Sequence, residues 1–245
     1  MTAAQSPLER RHFDWEGCFN ARDLGGLPLK SGGVTRHGVF VRGDTLCELT
    51  DDGRRSLLDN GIRTVVDLRG DEEVEKEPNP FTDLPGVRYV HRPLNDPGVV
   101  TRIQQIEDAP ERYRVMLDGN VTRIASIVAV IAEAERAVLF HCFAGRDRTG
   151  IVAAMLLRIA GVPDDVIVAD YALSDERLTT RYEQWRAKLT PVQVARMDAS
   201  IVEAEATIQA TLEHLDQRYG GVESYLTRSG VAESLIARIR EDLAG

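Results

Sequence analysis

The sequence predicts an α/β protein built on a central, mostly parallel sheet flanked by helices. Three observations predict it. Short β-branched or apolar runs at residues 62–69 and 137–140 have the length of buried strands. Elsewhere apolar residues recur at helical spacing, as at Tyr113, Met116, Leu117, Ile124, Ile127, Val128 and Ile131. The 137–140 run also passes through one short turn into an alanine-rich apolar run, 151–157, with the length of a buried helix. Helix, strand, turn and helix in that order is the grammar of a parallel sheet. At 245 residues and 43% hydrophobic content, the chain can bury a sizeable core and reads as a single domain.

Taken in order, residues 1–12 are polar and expected to fray. Gly25-Gly26 marks a turn, and residues 29–33 read as a hairpin turn between short strands. Arg42-Gly43-Asp44 spells an adhesion tripeptide, but its apolar flanks make it a strand end and a turn. Thr50 is placed to N-cap a helix with Leu57 and Leu58 on its apolar side, closed by Gly61. Residues 62–69 are the strand expected deep in the sheet. A strand buried on both faces has little use for a carboxylate, so Asp67 must lie at its carboxyl end or be paired. In open α/β sheets that end faces the ligand crevice.

The acidic stretch 71–77 reads as a solvated helix face or loop, since it lacks the glycine and alternating ligands of a calcium site. Residues 87–94 form another strand, ending in an Asn95-Asp96-Pro97-Gly98 turn. Two helices are expected between about 112 and 135, parted at Gly119-Asn120. Beyond the 151–157 helix, residues 175–218 read as two or more helices, with Trp185, Val192, Met197, Ile201 and Ile208 at mixed helical spacing. Turns at Gly220-Gly221 and Ser229-Gly230 lead into the last two.

A net charge of -9 argues against nonspecific nucleic-acid binding, which needs a basic face to displace counterions. No run of roughly eighteen apolar residues suggests a membrane span, and the amino terminus has charges where a signal peptide needs an apolar stretch. Cys18, Cys47 and Cys142 are too few and oddly numbered for a disulfide framework, and their spacings match no zinc pattern. The expectation is a cytoplasmic protein in a reducing compartment, with no stable membrane insertion.

The chemistry lies in the turn His141-Cys142-Phe143-Ala144-Gly145-Arg146-Asp147-Arg148-Thr149-Gly150. A strand-to-helix turn leaves the first N–H groups of the helix without intrahelical partners, beside the positive end of its dipole, which makes an anion site. Cys142 opens the turn, and helix N-termini and nearby cations favour the nucleophilic thiolate. Arg148 closes it with a planar fork that can meet two oxygens of a phosphoryl group. Thr149 adds a hydroxyl, and Gly145 permits a bend that a side chain would resist. Nucleophile, N–H cradle and bidentate cation together imply phosphoryl transfer to sulfur. The alternative for Cys142 is a buried, inert apolar thiol.

Cys-x5-Arg-Thr preceded by His resembles the signature of the cysteine-based protein tyrosine phosphatases. The fuller string resembles a bacterial branch whose loop reads HCFAGKDRTG, with Arg146 here in the place of its lysine. Asn20-Ala21-Arg22-Asp23-Leu24-Gly25-Gly26 is similar to the N-F-R-D-L-G-G opening of that branch, and Asp170-Tyr171-Ala172-Leu173-Ser174 to a segment after its phosphate loop. The resemblance implies the cysteine phosphatase fold, with a movable helical lid at about 164–215, and activity on phosphotyrosine, phosphoserine/threonine or phosphoinositides.

It further implies a phosphocysteine at Cys142, with phosphate held by Arg148 and the Phe143, Ala144, Gly145, Arg146 and Asp147 portion of the loop, and Thr149 assisting. Asp67, within Asp67-Leu68-Arg69, is the expected general acid; pairing with Arg69 is its alternative. Asp96 is a rival acid, though an Asp-Pro-Gly turn accounts for it. Asp147 can act instead, or position Arg146. Arg22 and Asp23 either support the loop from below or form a surface ion pair. No cofactor or metal is expected, because Arg148 does the work of a divalent ion. The partners are a phosphorylated protein or phosphoinositide substrate. A phosphate-binding pseudophosphatase, a sulfurtransferase, and oxidation of Cys142 with Cys18 or Cys47 resolving it are the other readings.

Overall fold

A computed structural model describes residues 11–245. The expectation of a frayed 1–12 segment lies outside the described residues except at its end. There Arg11 is buried and His12 bridges to Arg22, so those two are anchored rather than frayed.

Five strands form one sheet in the order β1-β2-β5-β3-β4: β1 (Arg22–Asp23), β2 (Phe40–Gly43), β3 (Thr64–Asp67), β4 (Arg88–His91) and β5 (Val138–His141). All neighbours are parallel except β1, which runs antiparallel to β2. Side chains alternate across each central strand. Phe40, Val66, Val138 and Phe140 enter one apolar cluster, and Val41, Val65 and Leu139 enter another on the opposite face. The β-branched composition that predicted buried strands follows from this, since both faces are covered.

The first face carries α4 (Ala109–Gly119), α5 (Val121–Glu133), α6 (Asp147–Ala160), α7 (Asp164–Arg177), α10 (Ala204–His214), α11 (Val222–Arg228) and α12 (Glu233–Ala244). The second is covered by Trp15, Leu46, α1 (Asp51–Asp59) and Phe81. Thr50 Oγ1 caps α1 by accepting from Gly53 N at 3.1 Å. Asp96 caps α3 (Pro97–Gln104) and pairs with Arg123, so the turn reading accounts for it. The two helices expected between about 112 and 135 are α4 and α5, parted at Asn120 where the Gly119-Asn120 pair stands.

Within the acidic stretch, Asp71–Lys76 form α2, with Glu77 at its C-cap. The 164–215 segment folds as α7, α8 (Thr179–Arg186), α9 (Pro191–Val202) and α10. Its ends are core helices, with Ile167, Tyr171, Ile208 and Leu212 buried, so only α8 and α9 stand outside the core. No single helix among the described residues is long and apolar enough to cross a membrane.

Candidate active site

Strand β5 lies between β2 and β3 and delivers the chain at its carboxyl end into the loop ahead of α6. There the backbone is held from behind. The carbonyl of Cys142 lies 3.0 Å from His141 Nδ1, that of Phe143 accepts from Thr45 N at 2.9 Å, and that of Ala144 from Asn20 Nδ2 at 3.0 Å. The Gly145 carbonyl accepts from Arg42 Nη2 at 2.9 Å, and that of Arg146 from Gly150 N at 2.7 Å.

A trans peptide points its N–H opposite to its C=O. Five carbonyls anchored outward therefore aim the amides of Phe143, Ala144, Gly145, Arg146 and Asp147 to the inner side of the crook. None of the first four donates to another described residue. Gly145 makes the bend possible twice over. Its φ is +67°, and a Cβ there would lie 2.4 Å from the Gly43 carbonyl oxygen.

Cys142, only 2% exposed, lies at the root of this crook, next to the guanidinium of Arg148. Burial alone would lower the Arg148 pKa, but the facing Cys142 and Glu73 outweigh it and keep the group charged. Glu73, from α2, grips Arg148 in a two-pronged pair at 2.5 and 2.8 Å and accepts from Gly70 N at 2.8 Å. Thr149 is fully buried, and its Oγ1 has no hydrogen-bond partner among the described residues.

His141 Nε2 lies 2.9 Å from the Asn79 amide nitrogen, a donor. The ring is therefore assigned as the Nδ1–H tautomer, donating to the Cys142 carbonyl. Burial lowers its pKa and keeps it neutral.

One expected site residue is placed elsewhere. Asp67 does end β3, level with His141 of β5, but it is 0% exposed. Its carboxylate accepts from Arg69 Nε, Nη2 and N, from Tyr89 Oη at 3.0 Å and from Asn79 at 3.3 Å. Burial favours its neutral form, but the hydrogen bonds and charge of Arg69 outweigh it and hold the carboxyl below the usual range. A sealed, ionised carboxylate has no path to a leaving group, so Asp67 is not the acid the sequence suggested. It is the core partner of Arg69.

Arg146 keeps its amide in the crook and turns its guanidinium to other partners at the cavity wall. It pairs with Asp175 at 2.6 and 3.2 Å, donates to the Ser200 carbonyl at 2.6 Å and reaches Asp147 at 3.1 Å. Only its amide belongs to the cradle.

Asp147 opens α6 with its side chain 43% exposed, and it lines a cavity of about 720 Å³ together with Arg148 and Glu73. Tyr113 Oη and Arg146 hold its carboxylate. Burial raises its pKa, and Arg146 outweighs burial and lowers it. Phe143, Tyr113, Met116 and Ile103 give the cavity apolar walls, and Trp185 and Met197 roof it. Trp185 of α8 stacks on Phe143 with ring centres 5.6 Å apart. Arg196 of α9 reaches across to the carbonyls of Ile103, Gln104 and Ile106, at the end of α3. Among the described residues no three His, Cys, Asp or Glu side chains cluster as a metal-ligand set.

The sequence reading placed Tyr113 on an apolar helix face and Glu73 on a solvated one, and gave neither a role at the site. Glu73 is hidden in an acid run whose composition matches a solvated face. Its only signal is its place three residues after Gly70, which suits a helix cap rather than a partner for Arg148.

A 29% identical relative, the triple specificity protein phosphatase PtpB of Mycobacterium tuberculosis, aligns over 94% of this chain and 98% of its own length. A tyrosine-protein phosphatase of Nostoc commune is 30% identical, over 82% of this chain and 73% of that protein. Among solved structures, TpbA of P. aeruginosa covers 78% of this chain and 86% of its own, at 16% identity and a TM-score of 0.37. The model of the tyrosine phosphatase family matches residues 13–245, nearly the whole of a chain whose thiol, outward-anchored carbonyls and forked arginine meet at one turn. The protein therefore belongs to the tyrosine phosphatase family, as a cysteine-based hydrolase of phosphoric monoesters.

Proposed function

We propose that this enzyme hydrolyses phosphotyrosine by way of a phosphocysteine at Cys142. The observation that carries the reading is the set of amides from Phe143 to Asp147, turned inward by five anchored carbonyls around the thiol and Arg148. The Cys142 thiolate attacks phosphorus, forming the S–P bond as the P–O bond to the phenol breaks. The amides and the Arg148 fork hold the equatorial oxygens; one preorganised donor of this kind is worth about 2.7–4 kcal/mol. Thr149 Oγ1, otherwise unpartnered, supplies one further donor at the loop.

Asp147 is the acid we assign in place of Asp67, since it is half-exposed and lines the same cavity as Arg148. It is ionised in the resting site. A phosphate dianion arriving beside it disfavours the second negative charge and so promotes the protonated form. That proton passes to the phenolate oxygen. Water then attacks phosphorus, the S–P bond breaks, and the water's proton returns to Asp147. The aromatic walls, Phe143, Tyr113 and Trp185, suit a planar phenol better than an inositol ring.

The test is p-nitrophenyl phosphate turnover for wild type, Cys142→Ser, Asp147→Asn and Asp67→Asn, followed by a panel of phosphotyrosyl, phosphoseryl and phosphoinositide substrates. Loss of turnover in Cys142→Ser and loss of the basic limb of the pH–rate profile in Asp147→Asn are expected, with phosphotyrosine preferred. Turnover by Cys142→Ser, or an unchanged profile in Asp147→Asn, contradicts the respective assignment.

A further inference from the structure

Behind the phosphate loop, on the side away from the cavity, three arginines converge on one carboxylate. Arg11 Nη2 donates to Asp170 Oδ1 at 2.6 Å, Arg42 Nη1 to Oδ2 at 2.8 Å, and Arg22 Nε to Oδ1 at 3.2 Å. All four side chains are buried. The remaining acceptors are neutral. Arg22 Nη1 donates to Asn20 Oδ1, Arg22 Nη2 to Ser174 Oγ and to the Asp170 carbonyl, and Arg11 Nη1 to the Asp23 carbonyl. The Asp23 carboxylate accepts instead from Gly25 N and Gly38 N and faces His37. Three guanidinium groups thus bond directly to one carboxylate, a buried positive surplus at first contact; the next buried carboxylate, Asp44, is reached only through Asn20 N at 2.9 Å.

Such a surplus is unfavourable unless an anion faces it, because removing a charge from water costs several kcal/mol that only a partner recovers. The cluster is tied to the loop at two points. Arg42 donates to the Gly145 carbonyl, and Asn20, itself gripped by Arg22, donates to the Ala144 carbonyl. Both bonds draw the loop carbonyls backward and so turn the Gly145 and Arg146 amides forward.

We propose that the Arg11, Arg22, Arg42 and Asp170 cluster is an electrostatic foundation for the phosphate loop, with Arg42 and Arg22 as positioning residues. Its surplus charge favours whatever anion the loop holds, the Cys142 thiolate first and the phosphate next. This rests on the phosphocysteine reading above and adds a source of loop potential besides the amides and Arg148. In keeping with a crowded cationic centre, burial and the neighbouring Arg42 lower the Arg22 pKa to about 9. Burial, together with Arg22, Arg177 and Arg11, lowers that of His12 to about 4.

The other charged groups about Cys142 are Arg148 and Asp147 from α6, Glu73 from α2, Arg146 of the loop, Asp44 after β2, and the Asp67–Arg69 pair with neutral His141 at the ends of β3 and β5. None of them is altered by replacing Arg42 or Arg11. The test is the pH dependence of Cys142 alkylation by neutral iodoacetamide, read by mass spectrometry on the Cys142 peptide of full-length protein, with vanadate inhibition measured alongside. Removing a charge on the order of 10 Å away, at an effective dielectric near 20, should raise the Cys142 midpoint by about one unit in Arg42→Met. Vanadate should bind at least about tenfold more weakly.

Arg42→Lys should restore the midpoint while leaving turnover low, since an ammonium keeps the charge but not the fork to Asp170 and Gly145. Arg11→Met touches no loop atom and should still raise the midpoint. A wild-type midpoint near about 8.5, the ordinary thiol value, overturns the proposal whether or not the variants fold. So does a folded Arg42→Met or Arg11→Met with the wild-type midpoint. Cys142-dependent turnover in that case leaves the phosphatase mechanism standing and removes only the foundation.

Discussion

Replacing Gly145 by alanine isolates the geometry of the loop. Its φ of +67° costs a residue with a side chain roughly 1–2 kcal/mol. The new Cβ would lie 2.4 Å from the Gly43 carbonyl oxygen and 2.6 Å from Asp44 N, inside contact distance of backbone that cannot swing away. The loop must withdraw from β2, and with it go the Phe143–Thr45 and Gly145–Arg42 bonds, each 2.9 Å. At about 0.5–1.5 kcal/mol for the neutral bond and about 1.5–3 for the charged one, the whole loss is about 3–6.5 kcal/mol. A misplacement on the order of 1 Å costs about 10²-fold in rate, so kcat on p-nitrophenyl phosphate should fall at least that far. Gly161→Ala is the control. Its φ of +88° carries the same backbone cost, with nothing within 4 Å of the new Cβ, so about 1–2 kcal/mol should be lost with kcat unchanged. Urea unfolding and steady-state kinetics measure both. Equal kinetic effects in the two variants, or wild-type kcat in Gly145→Ala, would refute the packing reasoning.

Three further outcomes are expected. Glu73→Gln removes the charge that orients Arg148, so kcat/KM should fall about tenfold, chiefly through KM, while Cys142 stays fully alkylatable; an unchanged KM would deny Glu73 that role. Asp67→Asn leaves the Arg69 guanidinium buried without its counter-charge and should cost about 3–5 kcal/mol in denaturant unfolding while the basic limb of the pH–rate profile stays in place; an unshifted stability would sink the pairing. His12 has a folded pKa of about 4, depressed by burial and by Arg22, against about 6.5 unfolded. Its contribution is therefore complete above about pH 6.5 and lost as pH falls toward 4, and His12→Gln should flatten that slope by about 1 kcal/mol, allowing for its partial exposure.

The layered fold was readable because its cause is local. Thr64, Val65 and Val66 are β-branched, Val138-Leu139-Phe140 is a short apolar run, and the amphipathic spacing of 112–135 breaks where Asn120 stands. The loop was readable for the same reason, since Cys142, Gly145 and Arg148 act within one turn. What could not be read depends on contacts between distant residues. Arg146 looks like any loop cation until Asp175 and Ser200 of the later helices are placed against it. Asp67 looks like an acid at a crevice until Tyr89 and Asn79 close over it. Arg42 sits in an ordinary strand end, and only the packing of α7 brings Asp170 beneath it.

The phosphocysteine itself is the most direct thing to measure. Wild-type enzyme mixed with excess p-nitrophenyl phosphate and quenched in acid within a turnover should carry one phosphoryl group on the Cys142 peptide by mass spectrometry, and Cys142→Ser should carry none. A phosphoryl group on another residue, or steady turnover with Cys142 unmodified at every quench time, would contradict the account.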